Sequence, residues 1–229
     1  MNTLKFGNGE WYGKKDTILA YNDENSNFKP LPFSFDRASS ATRVNNAGLI
    51  ETVGSGEPRI DFSNDAKGAL LLEPQRSNLI TYSEDFSHSS WVKNGTLIIP
   101  NTTIAPDGGL TAYTLTFSGS NQYLLKTANY TSTVGSKATI SLFTKTEIQI
   151  LSFGGATPNG TDVYGFESYA NGWYRQELTR TFSVAATGTI QYILYGLAIG
   201  DYIIWGAQVE ESYATSYIPT QGSAVTRVA

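Results

Sequence analysis

The chain has no cysteine, one methionine and one histidine among its 229 residues. The missing thiols exclude disulfides and thiolate metal sites, although a chain of this length buries a full core without such staples. The lone histidine, His88, sits in Ser87-His-Ser-Ser90, which reads as an ordinary polar loop. A Ser-His-Asp triad or a histidine-based zinc site would have to be built on that single ring. Positive charge is also sparse. There are 16 Lys and Arg against 20 Asp and Glu, a formal net charge of −4, and no cluster of either sign. Nucleic-acid binding needs a basic surface to displace counterions, so neither DNA nor RNA is an expected partner. No stretch reaches the roughly 20 apolar residues of a membrane span. The start, Met1-Asn-Thr-Leu-Lys-Phe6, lacks the basic-then-apolar order of a signal peptide. Gly7-Asn-Gly9 and Gly154-Gly155 lack the Lys-Ser/Thr of a phosphate loop and read as turns. The Asn-x-Ser/Thr sequons at Asn94, Asn101, Asn129 and Asn159 are products of an Asn/Thr-rich composition.

What is abundant is glycine, threonine, serine, asparagine and aromatic residues, the composition of a polar but uncharged β-surface. Residues 1–78 show no regular period. Six of the eight prolines fall by Pro106. Asn45-Asn-Ala-Gly48 is a turn signal, and Leu70-Leu-Leu-Glu-Pro74 is a short apolar run stopped by proline. Residues 79–229 differ. Period-two alternation recurs at Tyr113/Leu115/Phe117, Ala138/Ile140/Leu142, Ile148/Ile150, Trp173–Phe182, Ile190/Tyr192/Leu194 and Tyr202–Val209, with Gly, Asn and Pro turn signals between the runs. Strict alternation in the last run places Tyr202, Ile204, Gly206 and Gln208 on one face. The pattern predicts an all-β chain: an antiparallel β-sandwich of the jelly-roll type over 79–229, preceded by an extended, loop-rich attachment segment over 1–78. No repeat and no heptad seam is present, so any trimer forms through the sandwich or the N-terminal segment.

Three stretches resemble a known family. Arg37-Ala-Ser-Ser-Ala-Thr-Arg-Val-Asn-Asn-Ala-Gly-Leu-Ile50, with Pro58-Arg-Ile-Asp-Phe62 and Leu71-Leu-Glu-Pro-Gln-Arg-Ser-Asn-Leu-Ile80, is similar to a segment of phage tail-fibre, head-fibre and head-spike proteins. Tyr82-Ser-Glu-Asp-Phe-Ser87, with Trp91-Val-Lys-Asn-Gly95, resembles the first strand of the jelly-roll carbohydrate-binding modules such proteins carry. Asn171-Gly-Trp-Tyr-Arg175, Ile204-Trp-Gly-Ala-Gln-Val-Glu-Glu211, Tyr213-Ala-Thr-Ser-Tyr-Ile-Pro-Thr220 and Val225-Thr-Arg227 resemble their C-terminal signature. These pieces cover about half the chain. The resemblance implies a structural virion protein with a concanavalin-like or galactose-binding-like sandwich, assembled in the host cytoplasm. It implies a homo-oligomer, as a trimer, with capsid, portal or tail proteins as partners and a host-surface glycan as the alternative ligand.

The candidate residues follow from that expectation. Aromatic rings stack on sugar C–H faces, so Trp91, Trp173, Tyr174 and Tyr130 are candidate glycan platforms, with core packing as the competing role. Trp11 is a candidate anchor into a partner subunit. Arg37, Arg43 and Arg59 are candidate subunit contacts, able to fork onto carboxylates or carbonyls within the chain or across a boundary. A glycosidase needs two carboxylates across a cleft. Glu73, Asp85, Glu167, Glu177, Glu210 and Glu211 are available, but nothing in the pattern pairs them, so no catalytic residue is assigned and no enzyme is expected. No cofactor is expected either. A structural calcium would fall to the loop carboxylates of Asp61, Asp65 and Asp107.

Overall fold

The computed structural model describes residues 35–195 and 198–229, together with the backbone of short strands within the first 34 residues. The chain divides into two compact units. One comprises residues 1–76, 215–218 and 226–229, and the other residues 77–214 and 219–225.

The first unit is built of short strands: β1 (Thr3–Leu4), β2 (Trp11–Lys14), β3 (Thr17–Asn22), β4 (Asn27–Pro30), β5 (Ala41–Val44), β6 (Ile50–Val53), β7 (Ile60–Asp61), β8 (Ala69–Leu71) and β9 (Arg76–Asn78), the last running out of it. β5 and β6 form an antiparallel hairpin. The Asn45 carboxamide oxygen accepts from the Ala47 and Leu49 N–H groups, and Gly48 takes φ +77, a value that costs glycine nothing.

This unit is held by buried charge. The Glu73 side chain is 8% exposed and ion-pairs with Arg59 at 2.6 Å and with Arg227 at 2.7 Å. It also accepts from the Ser216 N–H at 2.8 Å and hydroxyl at 2.7 Å. Burial pushes its carboxyl up, but Arg227, Arg59 and Ser216 outweigh burial and hold it below the usual carboxylate range. Arg227 also donates to the Pro74 carbonyl, the Thr42 hydroxyl to the Tyr217 carbonyl, and the Val228 N–H to Ser39. The C-terminal residues are thereby stitched into the N-terminal unit.

The second unit contains β10 (Val92–Asn94), β11 (Leu97–Thr103), β12 (Ala112–Phe117), β13 (Tyr123–Ser132), β14 (Lys137–Thr144), β15 (Leu151–Phe153), β16 (Gly160–Tyr169), β17 (Trp173–Phe182), β18 (Ala186–Tyr195) and β19 (Gly200–Glu211). The short β20 (Val225–Arg227) follows. A 3-10 turn, Ala170–Gly172, is the one helical element among the described residues. The strands form a four-stranded sheet, β10-β13-β18-β15, and a six-stranded sheet, β11-β12-β19-β14-β17-β16, antiparallel throughout and sandwich-like in arrangement. The inward residues of both sheets meet in one apolar cluster. Leu124, Ala128, Tyr130, Ile190, Tyr192 and Leu194 come from the smaller sheet, and Leu115, Phe117, Ile140, Leu142, Leu178 and Ile204 from the larger.

The period-two pattern locates β12, β14, β17, β18 and β19, and the structure departs from the sequence reading in other respects. In β19 the core-facing set is Tyr202, Ile204, Ala207 and Val209. The register slips between Ser141 and Phe143 of the neighbouring strand, opposite Gly206 at φ +63, so one extra residue flips the alternation. Ile148, read as part of a strand, is exposed in a bend and only Ile150 reaches the core. Of the two pieces that resemble a first strand of the sandwich, Tyr82–Ser87 is a succession of bends and turns, while Trp91–Gly95 contains β10 (Val92–Asn94).

Replacing Glu73 by alanine is expected to destabilise the protein by about 3–5 kcal/mol at pH 7, because two guanidinium groups lose their buried counterion. The depressed carboxyl contributes fully above its unfolded value and loses that contribution as pH falls through the folded one. The gap between wild type and Glu73→Ala should therefore narrow below about pH 4.3. Urea denaturation across pH measures both, and a pH-independent gap would remove the ion pair as its cause.

Candidate functional site: an acidic, tyrosine-lined cleft

The residues singled out from sequence fall in unexpected places. Trp91 is 1% exposed, donates its indole N–H to the Tyr82 carbonyl and packs on Phe86 and Tyr192. Trp173 is also 1% exposed, with its N–H on the Ile104 carbonyl. Tyr130 lies in β13 rather than a loop, packs on Phe182 and donates to the Lys137 carbonyl. None of the three offers an open ring face to a sugar, because each ring is buried and its polar tip is spent on a backbone carbonyl. Tyr174 is half-buried in β17.

The arginines also turn inward. Arg37 is buried and donates to the backbone carbonyls of Ser39, Val53, Gly54 and Glu57. Burial, together with the nearby Arg59 and Arg227, lowers its pKa. Arg59 is buried against Glu73, and Arg43 pairs with Glu51 across the β5–β6 hairpin. These side chains bond within their own chain, the first of the two roles expected of them. The side chain of Trp11 lies outside the described residues.

The carboxylates are committed as well. Glu177 and Glu210 flank buried Arg175, at 3.8 and 4.0 Å. Asp61 accepts from the Val44 N–H and from Ser63, while Asp65 and Asp107 accept from the N–H groups of Lys67 and Gly109 in their own turns. Among the described residues no group of three or more His, Cys, Asp or Glu could hold a metal ion.

An open cleft of about 440 Å³ in the second unit is lined by Tyr82, Glu84, Asp85, Asn101, Thr111, Tyr113, Pro219, Thr220 and Gln221. Its wall is made by local turn chemistry. The Asp85 carboxylate oxygen Oδ1 accepts from the Ser87 N–H and hydroxyl and from the His88 N–H, closing an Asx turn. It also accepts from the Tyr113 hydroxyl at 3.2 Å. Lys93 caps the carbonyls of Ser87, His88 and Trp91. The 219–221 loop is fastened to the same wall, because the Thr220 N–H donates to the Ser83 hydroxyl and the Thr220 hydroxyl to the Ile80 carbonyl.

All four bonds to Asp85 go to Oδ1, so Oδ2 takes no donor from the described residues. Burial pushes this carboxyl up, but the bonds from Ser87, Tyr113 and the Ser87 and His88 backbone hold it below the usual range. It is an ionised, fixed acceptor at neutral pH. Tyr82 is held with φ +57, a left-handed value uncommon for a bulky residue. The His88 ring stacks on it at 3.5 Å between centroids. Asn101, on the same cleft, also has positive φ, at +56. The Thr111 hydroxyl is buried with no hydrogen-bond partner. No lysine or arginine lines the cleft.

Most of these residues were in view from sequence, but for other reasons. Asp85 was one of six unpaired carboxylates, Asn101 a chance sequon, and Tyr82 and Thr220 parts of two separate resemblances. The local signal available was Asp85-Phe-Ser87, a side-chain-capped turn in front of a tryptophan. No protein-family model matches the chain, and no curated protein matches it.

Replacing Tyr82 by glycine is expected to leave a protein about 1 kcal/mol more stable than replacing it by alanine, since both remove the ring but only glycine occupies the left-handed conformation freely. Thermal unfolding of the two variants compares them directly. An alanine variant as stable as the glycine one would show that the backbone relaxes there.

Proposed function

We propose that the chain is a structural component of a phage virion, a fibre, spike or capsid-decoration protein, whose sandwich is a jelly roll displayed outward from a docked N-terminal segment. The observation that carries this reading joins sequence to geometry. Arg59, Glu73, Ser216 and Arg227 come from four separate stretches of the fibre-like and C-terminal resemblances, and they meet in one buried network. A motif scattered over the chain that converges on an ion cluster is a folding constraint, which is what a shared structural module requires. Strand order supports the jelly roll: the chain passes from β12 to β13, β14 and β15 by alternating between the two sheets. The role needs no chemistry, only docking and display by a homo-oligomer.

A second reading, contact with a host-surface glycan, is favoured by the Tyr82–Asp85 cleft and transfers that role from Trp91, Trp173 and Tyr130 to this wall.

The structural reading is tested in two ways. Purified particles of the phage encoding the chain should contain it stoichiometrically by mass spectrometry. The isolated protein should sediment as a trimer of its 24.9 kDa chain. Absence from washed particles would overturn the virion assignment, and a monomer at all concentrations would overturn the homo-oligomer.

A further inference from the structure

We infer that the cleft binds one or two residues of a neutral saccharide, with a sugar hydroxyl on Asp85 Oδ2 and a sugar C–H face on Tyr82, and that it rejects uronic acids and other anionic sugars. This rests on the glycan reading above and narrows it to a class.

The first ground is the division of labour on Asp85. One oxygen is saturated by four donors from the fold, which fixes the carboxylate plane. The other faces no donor among the described residues. An ionised oxygen in that position binds a hydroxyl more strongly than a neutral acceptor does, and it repels a carboxylate or sulfate.

The second ground is the charge of the surroundings. Glu84 shares the wall with Asp85, and no cation lines the cleft. Two lysines of the same region are spoken for. Lys93 points its ammonium at three carbonyls, and Lys126 is buried, donating to the Ser90 hydroxyl with its ammonium 5.6 Å from the centroid of the Tyr82 ring. An anionic sugar would therefore meet the Asp85 carboxylate with the Lys126 ammonium already committed to Ser90.

The third ground is the platform. His88 covers one face of Tyr82, and the strained backbone holds the ring in the cleft wall, so stacking is preorganised rather than induced. Around it stand neutral hydrogen-bonding groups, Asn101, Thr111, Thr220 and Gln221. These are the donors and acceptors that match vicinal hydroxyls. The volume falls within the roughly 300–1,000 Å³ of small-ligand sites.

The test titrates the full chain at pH 7 with matched pairs, the methyl glycosides of glucose, galactose and mannose against their uronic acids, by ligand-observed NMR. At least one neutral glycoside is expected to bind, with its uronate at least about tenfold weaker. Asp85→Asn keeps its one oxygen as the acceptor for the turn and places an amide donor where Oδ2 was. It should weaken the neutral sugar about tenfold with an unchanged circular dichroism spectrum, and Tyr82→Gly should weaken it comparably. If no sugar of either kind binds, the glycan reading of the cleft falls and this inference falls with it. If a uronate binds as tightly as its neutral partner, or a folded Asp85→Asn binds unchanged, the neutral-sugar assignment is overturned while the glycan reading stands.

Discussion

The arrangement of the chain depends on one carboxylate. Glu73 sits between Arg59 and Arg227, and Ser216 completes its shell. Removing two guanidinium groups and a carboxylate from water costs several kcal/mol per ion, and their mutual attraction roughly returns it. The net contribution to stability is therefore small beside that of the apolar sandwich core. What the network contributes is discrimination. A C-terminal segment packed anywhere else would leave buried charge without a counterion, a penalty that apolar packing cannot impose. The first unit, made of residues from both ends of the chain, is in this way forced to a single closure.

The sandwich was legible wherever alternation was uninterrupted. β12, β14 and β18 carry apolar side chains at every second position over most of their length, and the structure turns those positions inward. β13 hid itself because Lys126 and Ser132 occupy inward positions beside Leu124, Ala128 and Tyr130. A buried lysine breaks any pattern that counts apolar residues. It is tolerated here because its ammonium meets the Ser90 hydroxyl and lies over the rings of Tyr82 and Trp91, while burial lowers its pKa. β19 was legible as a strand but not in its facing, since the residue that inverts it, Gly206, carries no side chain to betray a bulge. The fold class thus follows from sequence and the finer register does not, because register is decided by single residues whose effect is geometric.

The candidate site was less legible, for a physical reason. Tryptophan is the residue a sugar platform calls for, and it is also the residue that best fills a sandwich core. In this chain Trp91 does the second, Trp173 is buried outside that core cluster, and each finds a carbonyl for its N–H. Burial of Trp91 is itself what shapes the cleft wall. Its indole N–H holds the Tyr82 carbonyl, and its packing on Phe86 fixes the turn that Asp85 closes. The aromatic expected from sequence to touch a ligand instead supports Tyr82, to which that role is assigned above as a proposal.

That coupling explains why the wall can be rigid without regular secondary structure. Residues 81–91 make no ladder, so their backbone polar groups must be satisfied one at a time. Asp85, Lys93, Thr220 and Trp91 supply those bonds from four directions. A carboxylate used this way has an oxygen to spare: the turn and Tyr113 are directed at Oδ1, and Oδ2 takes no donor from the described residues. The proposed recognition role therefore does not compete with folding for this side chain, since the bonds that depress its pKa also keep the carboxylate charged as the solution is acidified into the ordinary carboxylate range. The cleft wall is therefore set by the fold, and the preference for uncharged, hydroxyl-rich partners proposed above rests on that construction rather than on any movement on binding.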